Sequence, residues 1–375
     1  MKLITGMVLS CGLVILTTTI FLTRIDSKFS GISKTGKTIS SDNVRTIEQE
    51  LPFEMDDFDY KWNSNFRRPN EMLTWDYWFA VDEKTNTYHA YYLQFPTTEA
   101  IIKHNYPEEL KSNRHKNQWV GHAASKDLIT WETQPDALRP IPGTFNDIGI
   151  ATGSVAHGDD QKWYMAFTSK GSSENTKFGI AMAISDDLIN WVKIPSSFIS
   201  KTFEAKWKGK SYQLKLNADP YLYPKKYNGY YWISINARIL NPPEGKETGA
   251  VLMLKSRDLF SWDAHKVIAY PGKYLRCETT QHWESNGKWY LYFGGVVPEG
   301  PYPNLVYLSD SFDGPYEEQS WSEITLPDGK RFYIGKLIKA FDRKEYFLGG
   351  ESYSSLSIPY PVSYKKDGEL LLSMP

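Results

Sequence analysis

Three carboxylates sit at comparable places ahead of aromatic-rich runs. Asp76 lies in LTWDYWFAVD (73–82), Asp219 in LKLNADPYLYP (214–224) and Glu278 in LRCETTQHWES (275–285). An acid is costly to bury unless it is paired or used. Three acids converging on one axis repel one another and push at least one pKa upward. That separation is what cleavage of a glycosidic bond by two carboxyls requires, one ionised and one protonated. A single acid of this kind could instead satisfy backbone donors at the mouth of a sheet; three in register favour chemistry.

The elements that must position them follow from a repeated phrase. Ser-x-Asp-Leu-x-x-Trp occurs in SKDLITW (125–131), SDDLINW (185–191) and SRDLFSW (256–262), with a looser form in SDSFDGPY from Ser309. Ahead of each phrase stand two short runs rich in aromatic and β-branched residues, such as TYHAYYLQF (87–95) then WVGHAAS (119–125), and KWYMAFTS (162–169) then FGIAMAIS (178–185). Turn signals such as EKTN, GDDQ, KYNG and ESNG precede the first runs. The unit spans about 50–70 residues and about four strands, which indicates radial repetition. Units starting near residues 74, 151, 216, 277 and 333 predict an all-β chain folded as a single-domain, five-bladed β-propeller. In the phrase, Asp is expected to cap a turn, Leu to pack between blades and Trp to start the outermost strand. The three acids then fall on the innermost strands of blades one, three and four.

Composition fits this architecture. The chain has 375 residues, a net charge of −1 and 15% aromatic residues, including 13 Trp and 25 Tyr. Such aromatic content suits sheets that pack on each other or on sugar rings. No basic stripe points to nucleic acid. Two cysteines, Cys11 and Cys277, make no disulfide framework. No HExxH, CxxC, Walker or GxGxxG segment stands in a fitting context, so neither a metal nor a cofactor is expected.

The N-terminus is different. Residues 3–22 carry no charge and lie between Lys2 and Arg24. About 20 helical residues span the roughly 30 Å of a bilayer core. Residues 1–23 are expected to form an apolar helix, an uncleaved anchor in preference to a signal peptide. Residues 24–50 are expected to be a tether and residues 51–375 the propeller, exported from the cytoplasm and monomeric, with membrane contact through the N-terminal segment only.

The motifs resemble those of the family 32 and 68 β-fructosidases, the invertase, levanase and levansucrase group. YHAYYLQFP is similar to a strand of that group ending in Gln. QWVGHAASKDLITWE is similar to its Trp-Gly-His-Ala-x-Ser-x-Asp-Leu-x-x-Trp-Glu signature, with Val120 inserted. NDIGIATGSV resembles its Ser-Gly-Ser segment, ADPYLY its Arg-Asp-Pro motif, CETTQHW its Glu-Cys motif, and YPVSYKKDGELLLSMP its closing strand. The resemblance covers residues 70–375 and implies an oligo- or polysaccharide substrate. It implies Asp76 as nucleophile, Asp219 as transition-state stabiliser and Glu278 as acid/base. Trp75, Gln94, Ser154, Arg276 and His282 are candidate sugar contacts. Three departures stand out: Asp76 lacks a following Pro-Asn-Gly turn, Ala218 stands where the motif has Arg, and Cys277 precedes Glu278. Two other outcomes stay open. One is an inverting enzyme like those of family 43 in the same clan; the other is an inactive propeller that binds polysaccharide.

Overall fold

The computed structural model describes residues 72–104, 114–299, 302–329, 332–351 and 355–375. The expected anchor helix and tether lie outside the described residues. Among the described residues no helix is long and apolar enough to cross a membrane.

Five antiparallel sheets succeed one another along the chain, and each begins with its innermost strand or a short addition to it. Blade one is β1 (Met72–Asp82), β2 (Thr87–Pro96), β3 (Trp119–Ser125) and β4 (Trp131–Thr133). Among the described residues, two short helices, α1 (Thr98–Lys103) and α2 (Arg114–Asn117), lie between β2 and β3. Blade two is β5 (Gly149–His157), β6 (Trp163–Lys170), β7 (Gly179–Ser185) and β8 (Val192–Ile199). In blade three, β9 (Thr202–Trp207) pairs with an N-terminal extension of β10 (Lys210–Leu222), which is followed by β11 (Tyr231–Ile239), β12 (Gly249–Ser256) and β13 (Asp263–Ala269). Blade four has β14 (Arg276–Ser285), β15 (Lys288–Val296) and β16 (Asn304–Ser309). Blade five has β17 (Gly335–Lys339), β18 (Glu345–Glu351), β20 (Tyr360–Tyr364) and β21 (Leu370–Leu372), with β19 (Ser355–Leu356) on β18.

The five-bladed expectation therefore holds, and the strand count per blade needs correction. Blade three gains a fifth strand. Blade four keeps three, and single bridges, Leu305 to Glu323 and Leu308 to Glu317, stand along the edge where a fourth strand would pair. The chain reaching the Glu317 bridge carries Gly314 and Pro315, and proline cannot donate to a ladder.

The repeated phrase works as a folded unit. Ser125 Oγ accepts from Leu128 N at 2.9 Å, and Asp127 Oδ1 accepts from the amides of Ile129 and Thr130 at 2.8 and 2.7 Å. The same bonds recur at Ser185–Asp187 and Ser256–Asp258. These turns place Leu128, Leu188 and Leu259 in the left-handed region, at φ 64°, 63° and 70°. That conformation costs about 1–2 kcal/mol for a residue with a Cβ. It aims each leucine at the preceding blade: Leu188 packs with Tyr91 and Leu93 of blade one, and Leu259 with Ala156 and Tyr164 of blade two. Burial of a leucine contributes about 1.5–3 kcal/mol and offsets the strain. In the fourth copy Phe312 takes the leucine's place, against Tyr223 and Trp232 of blade three.

Five apolar clusters result, one for each pair of neighbouring blades. Polar clasps add direction. Gln281 donates to Leu337 O and accepts from Leu337 N, both at 2.8 Å, joining blades four and five. Phe341 N donates to Tyr88 OH at 2.9 Å and closes blade five onto blade one.

Candidate active site

Each inner strand that carries an acid is bulged at the acid. Pairing slips between Trp75 and Trp78 in β1, between Ala218 and Tyr221 in β10, and between Glu278 and Gln281 in β14. One residue in each bulge is left-handed: Asp76 at φ 51°, Asp219 at φ 61° and Thr279 at φ 51°. Aspartate tolerates this region better than most residues, and a bulge re-aims a side chain out of the ladder. The register differs from the sequence expectation at one point. Asp76 and Asp219 are equivalent, but their counterpart in blade four is Thr279, and Glu278 stands one residue earlier.

Neighbouring blades hold the two aspartates in place, and blade four itself holds Glu278. Thr152 Oγ1, from β5, donates to Asp76 Oδ2 at 2.5 Å. Asp219 N donates to Thr168 Oγ1 of β6 at 2.9 Å, and Asp219 Oδ2 accepts from Thr279 N at 3.1 Å. Glu278 is gripped at both oxygens: Arg276 Nε lies 3.0 Å from Oε1, and Tyr302 OH donates to Oε2 at 2.6 Å. Asp76 and Asp219 are 8% and 7% exposed, so their charges act through little solvent.

The three acids share one electric field. Burial, then the charges of Glu278 and Asp76, push Asp219 well above the usual carboxylate range; the Thr279 amide and Lys336 oppose this. Burial pushes Lys170 down to about 8 and Lys336 down to about 7, while Asp219 and Asp76 pull both upward. Burial and then the Glu278 charge raise the Tyr302 hydroxyl well above its ordinary value, so it stays a donor. The site thus combines three carboxyls with two lysines and an arginine.

The other sequence candidates divide. Arg276 is in the cluster, on Glu278. Gln94 Nε2 donates to Asp136 Oδ1, whose other oxygen pairs with Arg139. Gly121 leaves room for it, because a Cβ there would fall 2.8 Å from Gln94 Cδ and 2.3 Å from the Tyr92 ring. Trp75 is 4% exposed and packs in the core between blades one and two. Ser154 Oγ donates to Pro220 O at 2.8 Å and accepts from Leu222 N at 2.7 Å, tying β5 to β10. His282 is fully buried, stacked on Tyr223 with ring centroids 4.8 Å apart, and burial lowers it to about 3. The structure thus places Ser154 and His282 in contacts between strands of the scaffold. Thr152, Thr168, Tyr302, Lys170 and Lys336 were missed. Thr152 had a signal, since it lies two residues from Ser154 on the same strand. Among the described residues no group of three or more His, Cys, Asp or Glu is arranged to hold a metal.

Comparison with known proteins bears on this arrangement. Bacillus subtilis levansucrase superposes with a TM-score of 0.58 at 12% identity, covering 87% of this chain and 92% of that one. An inulosucrase from Halalkalicoccus jeotgali gives 0.58 at 15% identity, covering 83% and 93%. A family 32 β-fructofuranosidase from Bombyx mori gives 0.55 at 17% identity, covering 83% and 66%. These likenesses show a common fold. No curated protein matches the chain in sequence. The sequence pattern of the glycosyl hydrolases family 32 N-terminal domain, however, matches residues 81–287, a stretch that includes Asp219 and Glu278 and begins just after Asp76. With more than half its length matched, the chain belongs to glycosyl hydrolase family 32 and is a glycosidase.

Proposed function

We propose that this protein is a retaining, β-fructosidase-like furanosidase acting on a fructan or a related oligo- or polysaccharide. One observation carries the proposal: carboxyls from three blades lie in bulges of the inner strands and perturb one another. In the first step an Asp76 oxygen bonds to the anomeric carbon. The bond to the leaving oxygen breaks, and that oxygen takes a proton from Glu278. In the second step Glu278 accepts a proton from water, whose oxygen bonds to the anomeric carbon and frees Asp76. Asp219 contacts sugar hydroxyls. An acceptor sugar in place of water would give transglycosylation with the same acids. The names levansucrase and inulosucrase among the structural neighbours support testing that outcome. The uncharged segment 3–22 supports an extracytoplasmic location, anchored or secreted.

Ala218, where the resembling motif has Arg, favours a second reading: a propeller that binds polysaccharide without cleaving it. A panel of sucrose, inulin, levan, arabinan, galactofuranan and aryl furanosides separates the two. The proposal expects free fructose or a fructosyl-transfer product from at least one fructoside, and loss of at least about a thousandfold in Asp76→Asn. Binding without product from any furanoside, or full activity in Asp76→Asn, would overturn it.

A further inference from the structure

Lys336 is a buried side chain of the site that the mechanism above leaves unused. It lies on β17, the inner strand of blade five, and is 4% exposed. Its Nζ donates to Thr279 O and, at 3.1 Å, to Thr280 O. Its Nζ also lies 5.6 Å from the centroid of the Tyr292 ring. The two carbonyls belong to the bulge of β14 that follows Glu278. The amide of the same Thr279 donates to Asp219. One short segment is therefore held from two sides, by the Asp219 carboxyl of blade three at its N–H and by the Lys336 amino group of blade five at its carbonyls.

Holding two carbonyls does not require a charge; a buried amide would do it at lower desolvation cost. The charge needs a reason, and the surrounding groups supply one. Asp76 of β1 and Asp219 of β10 are the charges that act most favourably on Lys336. Glu278 of β14 acts on Asp219. Lys170 of β6 is the other cation in the field of Asp76 and Asp219, and its Nζ is already donating to His115 O at 3.1 Å. The residue next to Asp219 is Ala218 and adds no charge. Carboxylates this crowded favour a nearby cation over open repulsion.

We infer that Lys336 is a positioning residue of the candidate active site, whose ammonium fixes the 279–280 bulge beside Glu278 and offsets the crowded carboxylates of Asp76 and Asp219. The inference rests on the reading of those acids as the reacting group, but its test needs no substrate.

The test is a carbon-13 NMR titration of side-chain carboxyls in protein labelled at Asp and Glu, with the Asp219 signal assigned from Asp219→Asn. Lys336→Met removes both charge and hydrogen bonds; Lys336→Gln keeps a donor and removes only the charge. Both should raise the Asp219 midpoint by about one pH unit or more, the size expected of a nearby charge at an effective dielectric of about 20. A midpoint unchanged in Lys336→Gln would reduce Lys336 to a structural tie and overturn the inference. If neither variant folds, the reciprocal measurement decides. In Asp219→Asn the Lys336 ε-carbon titration should fall by a similar amount, and an unmoved titration there would overturn the inference equally. A protein inactive on every furanoside but showing these shifts would sink the proposed function and leave the role of Lys336 standing.

Discussion

The hydroxyl of Thr152, on the inner strand of blade two, donates to Oδ2 of Asp76, on the inner strand of blade one, across 2.5 Å. The bond crosses a blade boundary, so the packing of one sheet sets the aim of an acid on another. A hydrogen bond to a charged group contributes about 1.5–3 kcal/mol. Thr152→Val keeps the shape and removes the donor. It should lower kcat/KM about 10- to 100-fold on whichever furanoside proves to be turned over, with little change in melting temperature. Steady-state kinetics beside a thermal melt check this. Unchanged kinetics would mean that the bond does not position the nucleophile.

Glu278→Gln tests the proton donor. Substrates with poor leaving groups need protonation most; activated aryl furanosides need it least. The variant should lose far more rate on a fructan than on a nitrophenyl furanoside. Equal losses on both would argue that Glu278 acts otherwise, for example as a mere partner of Arg276 and Tyr302.

Much of the fold was legible because the signal was repeated. The phrase Ser-x-Asp-Leu-x-x-Trp encodes its own turn through Ser and Asp, so its meaning does not depend on distant residues. The inner strands were legible for the same reason, as each after the first follows a closing phrase. The site was legible only in part. Asp76, Asp219 and Glu278 are polar residues in apolar surroundings, which shows in one dimension. Their partners lie elsewhere in the chain: Thr152 in blade two, Lys336 in blade five, and Tyr302 in the connection between β15 and β16 of Glu278's own blade. No local pattern distinguishes such a lysine from a solvated one. The placement of His282 was not legible for the converse reason. A histidine near an acid suggests chemistry, but the strand alternation after the β14 bulge turns it into the core with Tyr223.

Leu188 offers a test of the scaffold. It is fully buried, its carbonyl accepts from Tyr91 OH at 2.6 Å, and its amide donates to Ser185 Oγ at 2.9 Å. Leu188→Ala should cost about 2–5 kcal/mol in urea unfolding, through lost burial and a residual cavity. Asp186, one turn position away, makes only an exposed ion pair with Lys162. Its replacement by Ala should cost less than about 1 kcal/mol. Comparable losses from both would mean that the leucine does not lock the blades.

Acid should weaken the protein through buried histidines. Burial pushes His89 down to about 4 and His122 to about 3, and the two rings share a 2.9 Å bond between Nδ1 and Nε2. His282 is lowered to about 3. A base whose folded pKa lies below its unfolded value of about 6.5 takes up protons on unfolding. Its contribution is complete above pH 6.5 and is lost as pH falls through the window down to about 4 for His89, and to about 3 for the other two. Melting temperature should therefore drop steadily from pH 6.5 to pH 4, before most carboxylates titrate. His282→Phe, which keeps the stacking on Tyr223, should flatten that slope if it folds stably. A slope unchanged in His282→Phe would show that His282 is not held neutral.

The stereochemical course is the sharpest test of the proposed mechanism. Retention needs a carboxylate in reach of the anomeric carbon, with the two reacting carboxyls about 5–5.5 Å apart. Inversion leaves room for a water between them, at about 6.5–9.5 Å. Here Asp76 is fixed by Thr152, and Glu278 is fixed at both oxygens by Arg276 and Tyr302. Acids so constrained suit a covalent intermediate, which requires one of them to meet carbon directly and the other to serve twice. The first-formed sugar should keep its anomeric configuration, read by carbon-13 NMR before mutarotation because the anomeric carbon of fructose bears no proton. Methanol added to the reaction should intercept the glycosyl-enzyme and give a methyl glycoside of that same configuration. An inverted product, with no methanol adduct, would turn Asp76 from nucleophile into general base.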